Sequence, residues 1–479
     1  MIYGSFTIIG RFLTFLLTPL YTNYLSKQEF GDITNIFALI AIINVVFSFG
    51  MEPAFMRFFK SDNFENNKKV FTHSYFSIVG LAATTIVILL VFGDFFSPMV
   101  TDLPDRNYIF LMALLISLFD AMVMVPYALL RMTRRAKRFA YTRFFLIIIA
   151  VTLNIVLVVV FKTGAKGVLI SQVITNLIGV FIFLPEIFKY FSWKIDLKLF
   201  KEMMLFGFPT VPASLSAILL QVVDRPILKS LVSVNEFANY SLGFRLGITM
   251  MLTVAVFEYA WKPFYLNHRE DKDAKELFAK VLNYFTLAAG FVFMITVCYM
   301  DIIARMPFVG GRFVNPAYYE GMFIIPIILF GYFFNGIYAN LAAGFHIEKQ
   351  TKYLPISIGI AAVSKIILNY TLVPVFGYQG AAWATLFSYV IAAGVIYYFL
   401  QRIYPIKYNW IAVGKVMAIT AAFYWINTLV PSNLTIMMKF FFKTLIMIAY
   451  CGGLVAFKII SINDITRIKT MFSRNKKLS

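Results

Sequence analysis

The chain has 479 residues, of which 60% are hydrophobic and only 14% charged, with a formal net charge of +20. Soluble globular chains are about 45–50% apolar and about 25% charged. The composition therefore excludes an ordinary soluble enzyme, a disordered protein and a secreted disulfide scaffold, and leaves a polytopic membrane protein.

A membrane helix needs ~20 apolar residues. In chain order the predicted spans are 4–24, 33–58, 70–93, 107–130, 140–161, 166–188, 201–223, 235–264, 279–300, 318–344, 352–374, 380–401, 408–430 and 434–458, fourteen in all. The apolar stretch 366–401 is too long for one crossing; Pro374, Gly377 and Gly380 divide it, with Tyr378 and Gln379 at the turn. No basic n-region precedes the first apolar run and no small-residue cleavage site follows it, so span 1 is expected to remain as a helix. The connections are too short to hold a folded extramembrane domain. Basic residues gather after spans 2, 4, 6, 8 and 14, and are scarce after spans 3, 9, 11 and 13. By the positive-inside rule both termini and the 131–138 loop are expected in the cytosol. The same rule accounts for the positive excess without nucleic acid.

Internal repetition is the next signal. Pro19 and Pro226 are 207 apart, as are Glu29–Phe30 and Glu236–Phe237. At a spacing of 215, Lys137 matches Lys352, Leu153–Asn154 matches Leu368–Asn369, and Phe161 matches Phe376; after one gap Gly164–Ala165 matches Gly380–Ala381. Spans 1–6 thus match spans 7–12. The expected fold is all-α integral membrane, with 14 transmembrane helices. Two parallel six-helix repeats surround a central cavity, and two extra C-terminal helices follow. The expected divisions are 1–190 for the first bundle, 191–402 for the second, and 403–479 for the added helices and basic tail. Parallel repeats related by an axis along the membrane normal build transporters that work by alternating access.

The stretch from Arg11 through PLYTNYLSKQEFG (19–31) to FGMEPAFMRFF (49–59) resembles the polysaccharide transport family. These are the O-antigen and capsule flippases of the multidrug/oligosaccharidyl-lipid/polysaccharide exporter superfamily. The resemblance covers essentially the whole chain, although the short basic segment usual before the first helix is absent here. It implies a plasma (inner) membrane, multi-pass protein that moves polyprenyl-pyrophosphate-linked oligosaccharides to the outer leaflet for surface polysaccharide biosynthesis. It implies a functional monomer, membrane lipids as neighbours, and polysaccharide polymerase and glycosyltransferases as partners.

An anionic cargo of this kind needs cations inside the spans, where a charge costs at least ~2.5–3.5 kcal/mol. Arg11, Arg245 and Lys365 are the candidates for holding the pyrophosphate; snorkelling is the alternative for Arg11. Asp120, near the centre of span 4, is a candidate protonatable or cation-binding site for coupling, or else a buried partner for a cation. Glu52 with Arg57, and Glu258 with Lys262, occupy the cytosolic ends of spans 2 and 8 and suggest a gating network of ion pairs; the positive-inside rule alone also places Arg57 and Lys262. Asp224 and Arg225 are expected at the interface, at the outer end of span 7. Asn154, Gln172, Asn176, Gln221, Asn335, Asn340 and Asn369 recur inside spans, where interhelical hydrogen bonds are the common use of an amide.

No P-loop or HExxH sequence is present, and no Cys/His cluster: Cys298 and Cys451 lie in apolar runs and the three histidines are isolated. No cofactor and no metal is expected, and the chain reads as a non-enzyme. A membrane polymerase or ligase would leave the repeat unexplained. Within transporters the alternatives are a peptidoglycan lipid-precursor flippase and a multidrug or cation exporter. The second characteristically carries a deep acid in the first helix, where this chain has Arg11 and no acid before Glu29.

Overall fold

Thirteen helices among the described residues are long and apolar enough to cross a membrane, from Lys27–Ser48 to Ile436–Ala456. They belong to a computed structural model that describes residues 15–60, 63–308, 310–431 and 434–457. Of span 1 the described part begins at Phe15 and holds the helix Thr18–Tyr24. The protein is an all-α membrane protein. The described strands are a two-residue hairpin, Pro307–Phe308 against Gly311–Arg312, in the connection between spans 9 and 10.

Local chemistry explains where several spans begin and bend. Span 2 starts at Lys27, earlier than the apolar pattern suggests, because Ser26 and Glu29 form a capping box. The Ser26 hydroxyl accepts the Glu29 N–H at 3.2 Å, and the Glu29 carboxylate accepts the Ser26 N–H at 2.9 Å. The same span breaks at Phe49 and Gly50, both left-handed (φ 43° and 74°), and resumes as Met51–Phe58. Span 5 ends in a π-helical turn, Ile155–Val160. Span 7 is segmented into Leu197–Gly207, a 3₁₀ turn Phe208–Thr210 around Pro209, Val211–Val222 and Asp224–Leu231. Spans 11 and 12 divide at Gly377.

Repeated devices occur in the two halves. Ser233 and Glu236 form a second capping box at the start of span 8. The free oxygen of Glu29 accepts the Ala165 N–H at 2.9 Å, beside Gly164 at φ +61°. Glu236 reaches Gly377 at φ +56° in the same way: a Cβ on either glycine would come within 2.1 or 2.4 Å of the carboxylate. The positive φ and the close approach both require glycine. These contacts make Gly377 the counterpart of Gly164, whereas the sequence pattern alone matched Gly164 to Gly380. Asn154 and Asn369 each donate to the carbonyl four residues back, Ala150 and Lys365, at 2.8 and 2.7 Å.

Among the described residues, buried apolar side chains form two cores. One is built from spans 2, 3, 4 and 6 and includes Phe55, Phe71 and Phe183; the other is built mainly from spans 8–14 and includes Phe278, Phe293 and Tyr450. The helix Leu197–Gly207 adds Met203 to the first core, although it follows span 6 in the chain. Just before it, Asp196 caps its N-terminus. The Leu199 N–H and then the Lys69 ammonium, each at 3.1 Å, hold the Asp196 carboxyl below the usual carboxylate range.

At the hairpin end the halves are cross-bonded. Lys229 of span 7 pairs with Asp32 of span 2 at 3.0 Å and with Asp102 at 3.3 Å, and donates to Val100 O at 3.0 Å. Asp32 also accepts the Thr101 hydroxyl at 2.7 Å. Asn23 donates to Arg312 O of the hairpin at 2.6 Å, and Phe30 meets Tyr318 edge-on.

Candidate functional site: a cavity between the two halves

A cavity of about 580 Å³ lies between spans 1, 2, 4, 5 and 6 on one side and spans 7 and 8 on the other. Among the described residues its wall carries three guanidinium groups and one carboxylate: Arg143, Arg225, Arg245 and Asp120.

Each cation is aimed by neighbours. Arg245 donates from Nε to the Thr18 hydroxyl at 2.9 Å and lies 4.9 Å from the Tyr21 ring centroid. It thereby joins the second half to span 1. Arg143 sits over the Tyr127 ring at 4.1 Å, one helix across. Arg225 donates to Gln221 O at 2.6 Å, pairs with Asp224 at 3.0 Å, and lies over the Phe244 ring at 4.2 Å. Cation–π contacts of this kind hold a guanidinium in place while leaving N–H donors for a ligand.

Asp120 is held by neutral groups. Asn44 donates to one carboxylate oxygen at 3.0 Å and Asn176 to the other at 2.8 Å, and Gln172 donates to Asn176 at 2.8 Å. Two amides, from spans 2 and 6, thus hold a carboxylate of span 4, and a third amide backs one of them. Asn154 accepts the Tyr21 hydroxyl at 3.1 Å and donates to Ser171 at 2.8 Å. Of the intramembrane amides named from the sequence, Asn154 and Asn176 bond between helices, whereas Gln172 and Asn369 bond within their own helix and Gln221 and Asn335 line a second cavity.

Of the residues singled out for cargo, Arg245 faces this cavity, and Arg11 lies outside the described residues. Lys365 is placed elsewhere. Its ammonium is fully buried, pairs with Asp224 at 3.1 Å and donates to Leu220 O at 2.8 Å. An ammonium this close to a carboxylate in a dry interior is held by it.

The expectation that Asp224 and Arg225 are interfacial is corrected. Asp224 is 0% exposed, and it contacts the Tyr240 hydroxyl as well as Arg225 and Lys365. The helix continues past residue 223 as Asp224–Leu231, and this carries the pair into the protein. Adjacent opposite charges resemble a helix end in sequence; here they are one carboxylate shared by two cations from spans 7 and 11.

The residues expected to gate are distributed over several partners. Glu52 pairs with Arg131 of span 4, and Arg57 lies over the Phe206 ring at 4.5 Å. Glu258 lines a separate cavity of about 210 Å³ with Gln221 and Asn335, and Lys262 is exposed. Sequence reasoning missed Arg143 and Arg225. Arg143 lies only three residues inside predicted span 5, where the positive-inside rule disguises it. Arg225 is disguised by its neighbour Asp224.

Residues 1–264 match the family model described as "Polysaccharide biosynthesis protein". That is more than half of the chain, and the chain belongs to this family. No curated protein matches the sequence. The fold is similar to a lipid II flippase, MurJ, in an inward-closed conformation, with a TM-score of 0.77 at 15% identity over 96% of this chain and 100% of that one. It is also similar to a multidrug resistance MATE family transporter in an inward-facing conformation, with a TM-score of 0.61 at 15% identity over 85% and 96%. For an outward-facing conformation of such a transporter the TM-score is 0.52 at 15% identity, over 83% and 94%.

Proposed function

We propose that this member of the polysaccharide biosynthesis family is a flippase that moves polyprenyl-pyrophosphate-linked oligosaccharide across the plasma membrane by alternating access. The observation that carries this reading is the convergence of Arg143, Arg225 and Arg245, from both halves, on one cavity. A pyrophosphate cannot cross hydrocarbon unaided, because each unsatisfied polar group costs several kcal/mol there. At an effective dielectric of about 20, a unit charge 4 Å from each guanidinium gains about 4 kcal/mol per pair. Three such groups offset much of the desolvation, and the planar fork suits bidentate contact with phosphate oxygens. The volume falls in the range of about 300–1,000 Å³ usual for small-molecule sites. That accommodates a head group and its first sugars and argues for transport of single lipid-linked units rather than finished polymer.

Alternating access is supported by the position of the cavity between the two halves of the repeat. Arg11 is assigned to the same cationic surface. Asp120 is assigned to coupling, since a carboxylate whose hydrogen bonds come from amides, with Arg143 in the same cavity wall, can exchange those bonds for a proton or cation. The Glu52–Arg131 pair and the Arg57–Phe206 stack are assigned to the cytosolic gate, with Glu258 and Lys262 at the corresponding end of span 8. In this reading the chain works as a monomer, with both termini cytosolic, and receives its substrate from glycosyltransferases.

The test is surface glycan in a strain whose own copy is deleted. Arg245→Ala and Arg225→Ala should each lower it at least tenfold at equal membrane levels, and Arg→Lys should restore part of it. Wild-type glycan from both alanine variants overturns the cavity assignment. A second reading, transport of a peptidoglycan lipid precursor, is favoured by the likeness to the lipid II flippase. Rescue of a strain lacking its lipid II flippase, with no change in surface polysaccharide, would select it.

A further inference from the structure

Span 14 turns two lysines inward, toward the bundle and away from lipid, where an ionisable side chain needs a partner. Lys439 and Lys443 are one turn apart and 5% and 6% exposed, while Met437 and Phe441 on the opposite side are open. Residues at i and i+4 share a helix face. Here that face turns toward the end of span 9, where it meets Asp301 and Arg305.

The charges do not balance. Asp301 is one carboxylate, and it already accepts the Arg305 Nε–H at 2.7 Å. Lys439 and Lys443 stand 3.6 and 3.9 Å from its other oxygen, beyond hydrogen-bond distance. Among the described residues neither ammonium donates a hydrogen bond. Two cations exceed what one carboxylate can neutralise, and six N–H donors are left to a ligand. A structural staple between spans 9 and 14 needs one lysine; the second is unexplained by it. The site has a mouth, since the Asp301 and Arg305 side chains are 27% and 30% exposed. Arg305 also lies over the Tyr319 ring at 4.7 Å, and the Tyr319 hydroxyl accepts from Arg312 at 3.2 Å, so a fourth cation stands at the rim.

The location specifies the ligand. Lys443 is seven residues from the start of its helix at Ile436, roughly 10 Å along it. That is the level of lipid phosphates and upper acyl chains rather than of bulk water. The exposed Phe440, three residues before Lys443 and on the same side of the helix, offers apolar surface to chains beside the site. Lys and Arg are also uncommon at the ends of spans away from the basic loops. We propose that Lys439, Lys443 and Arg305 bind the phosphate head group of an anionic membrane lipid at the hairpin end of spans 9 and 14. The site is separate from the cavity and does not rest on the flippase reading. It gives the two added helices a ligand of their own.

The test uses the full chain in detergent, with lipid retention read by native mass spectrometry against phosphatidylglycerol and phosphatidylcholine at equal mole fraction. The wild type should retain phosphatidylglycerol at least tenfold over phosphatidylcholine. Lys439→Gln with Lys443→Gln should lower phosphatidylglycerol at least fivefold and leave phosphatidylcholine unchanged; Lys443→Gln alone gives a milder loss if the pair is poorly folded. Lys272→Gln, in an exposed connection, is the charge-matched control and should change nothing. Unchanged phosphatidylglycerol in a folded Lys443→Gln or double variant overturns the proposal. Displacement of the lipid by equimolar inorganic phosphate overturns the lipid assignment and leaves a site for free anions.

Discussion

Asp120 and Asp224 are acids inside the two halves of one repeated architecture, yet their charges are handled in opposite ways. Asp120 faces a cavity and accepts two neutral amide donors, Asn44 and Asn176. Asp224 is fully buried and is shared by Arg225, Lys365 and the Tyr240 hydroxyl. At the cavity wall neutral amides take the hydrogen bonds, and Arg143 acts on the carboxylate only from a distance. A dry site requires counter-charge, because an unpaired buried ion is the costly case. The difference assigns distinct roles: Asp224 fixes the direction of Arg225, and Asp120 keeps a carboxylate available to the cavity.

The largest effect is expected on the dry side of this comparison. Asp224→Ala strands Lys365 and Arg225 and should cost about 3–5 kcal/mol, read as loss of thermal stability and yield in detergent. Asp224→Leu with Lys365→Met removes one buried pair and should recover part of that stability, the remainder being the cost of Arg225 left without its carboxylate. Export should stay low, because Arg225 has lost its clamp. A double variant no more stable than Asp224→Ala would show that the cluster is not organised around this pair.

On the cavity side the order reverses. Asp120→Asn keeps shape and should change stability by about 1 kcal/mol or less. Its expected effect is on export, with the response to an imposed proton or sodium gradient flattened relative to wild type. Normal export with a normal gradient response would reduce Asp120 to a packing role and erase the contrast with Asp224.

The smallest effect comes from the feature the halves share. Glu29→Ala and Glu236→Ala each remove a capping-box carboxylate and its contact at a glycine turn, and each should cost about 1 kcal/mol. Equal losses in thermal melts would show the device to be energetically equivalent in both halves. Unequal losses would locate the asymmetry outside the charged clusters as well.

Much of the fold was legible because apolar length and turn residues act locally. The span count, the division at Gly377 and the basic loops required only hydropathy and charge. The kink at Phe49–Gly50 was not legible, since a left-handed phenylalanine is forced by packing rather than by residue type. The π-helical end of span 5 and the 307–312 hairpin were likewise not marked by periodicity. Arg245 was recognisable from depth alone. Asp224 and Arg225 were misplaced because adjacent opposite charges look soluble until Lys365, far along the sequence, is brought to them. Arg143 was concealed by a rule that expects cations near that end of a helix.

The contact between Gly50 and Gly207 has a bearing on how such chains can be recombined. A Cβ on Gly207 would come within 2.5 Å of the Gly50 carbonyl, and one on Gly50 within 2.0 Å of the Gly207 carbonyl, so the two backbones touch with no side chain between them. Leu197–Gly207 is thereby tailored to the surface of the half that precedes it. The point at which the repeat begins anew and the point at which the chain leaves the first core are about twenty residues apart. A hybrid spliced at residue 190 would graft a foreign helix onto that fitted surface. One spliced within Phe208–Thr210 would leave the fitted helix with its own host and exchange only what lies beyond Pro209.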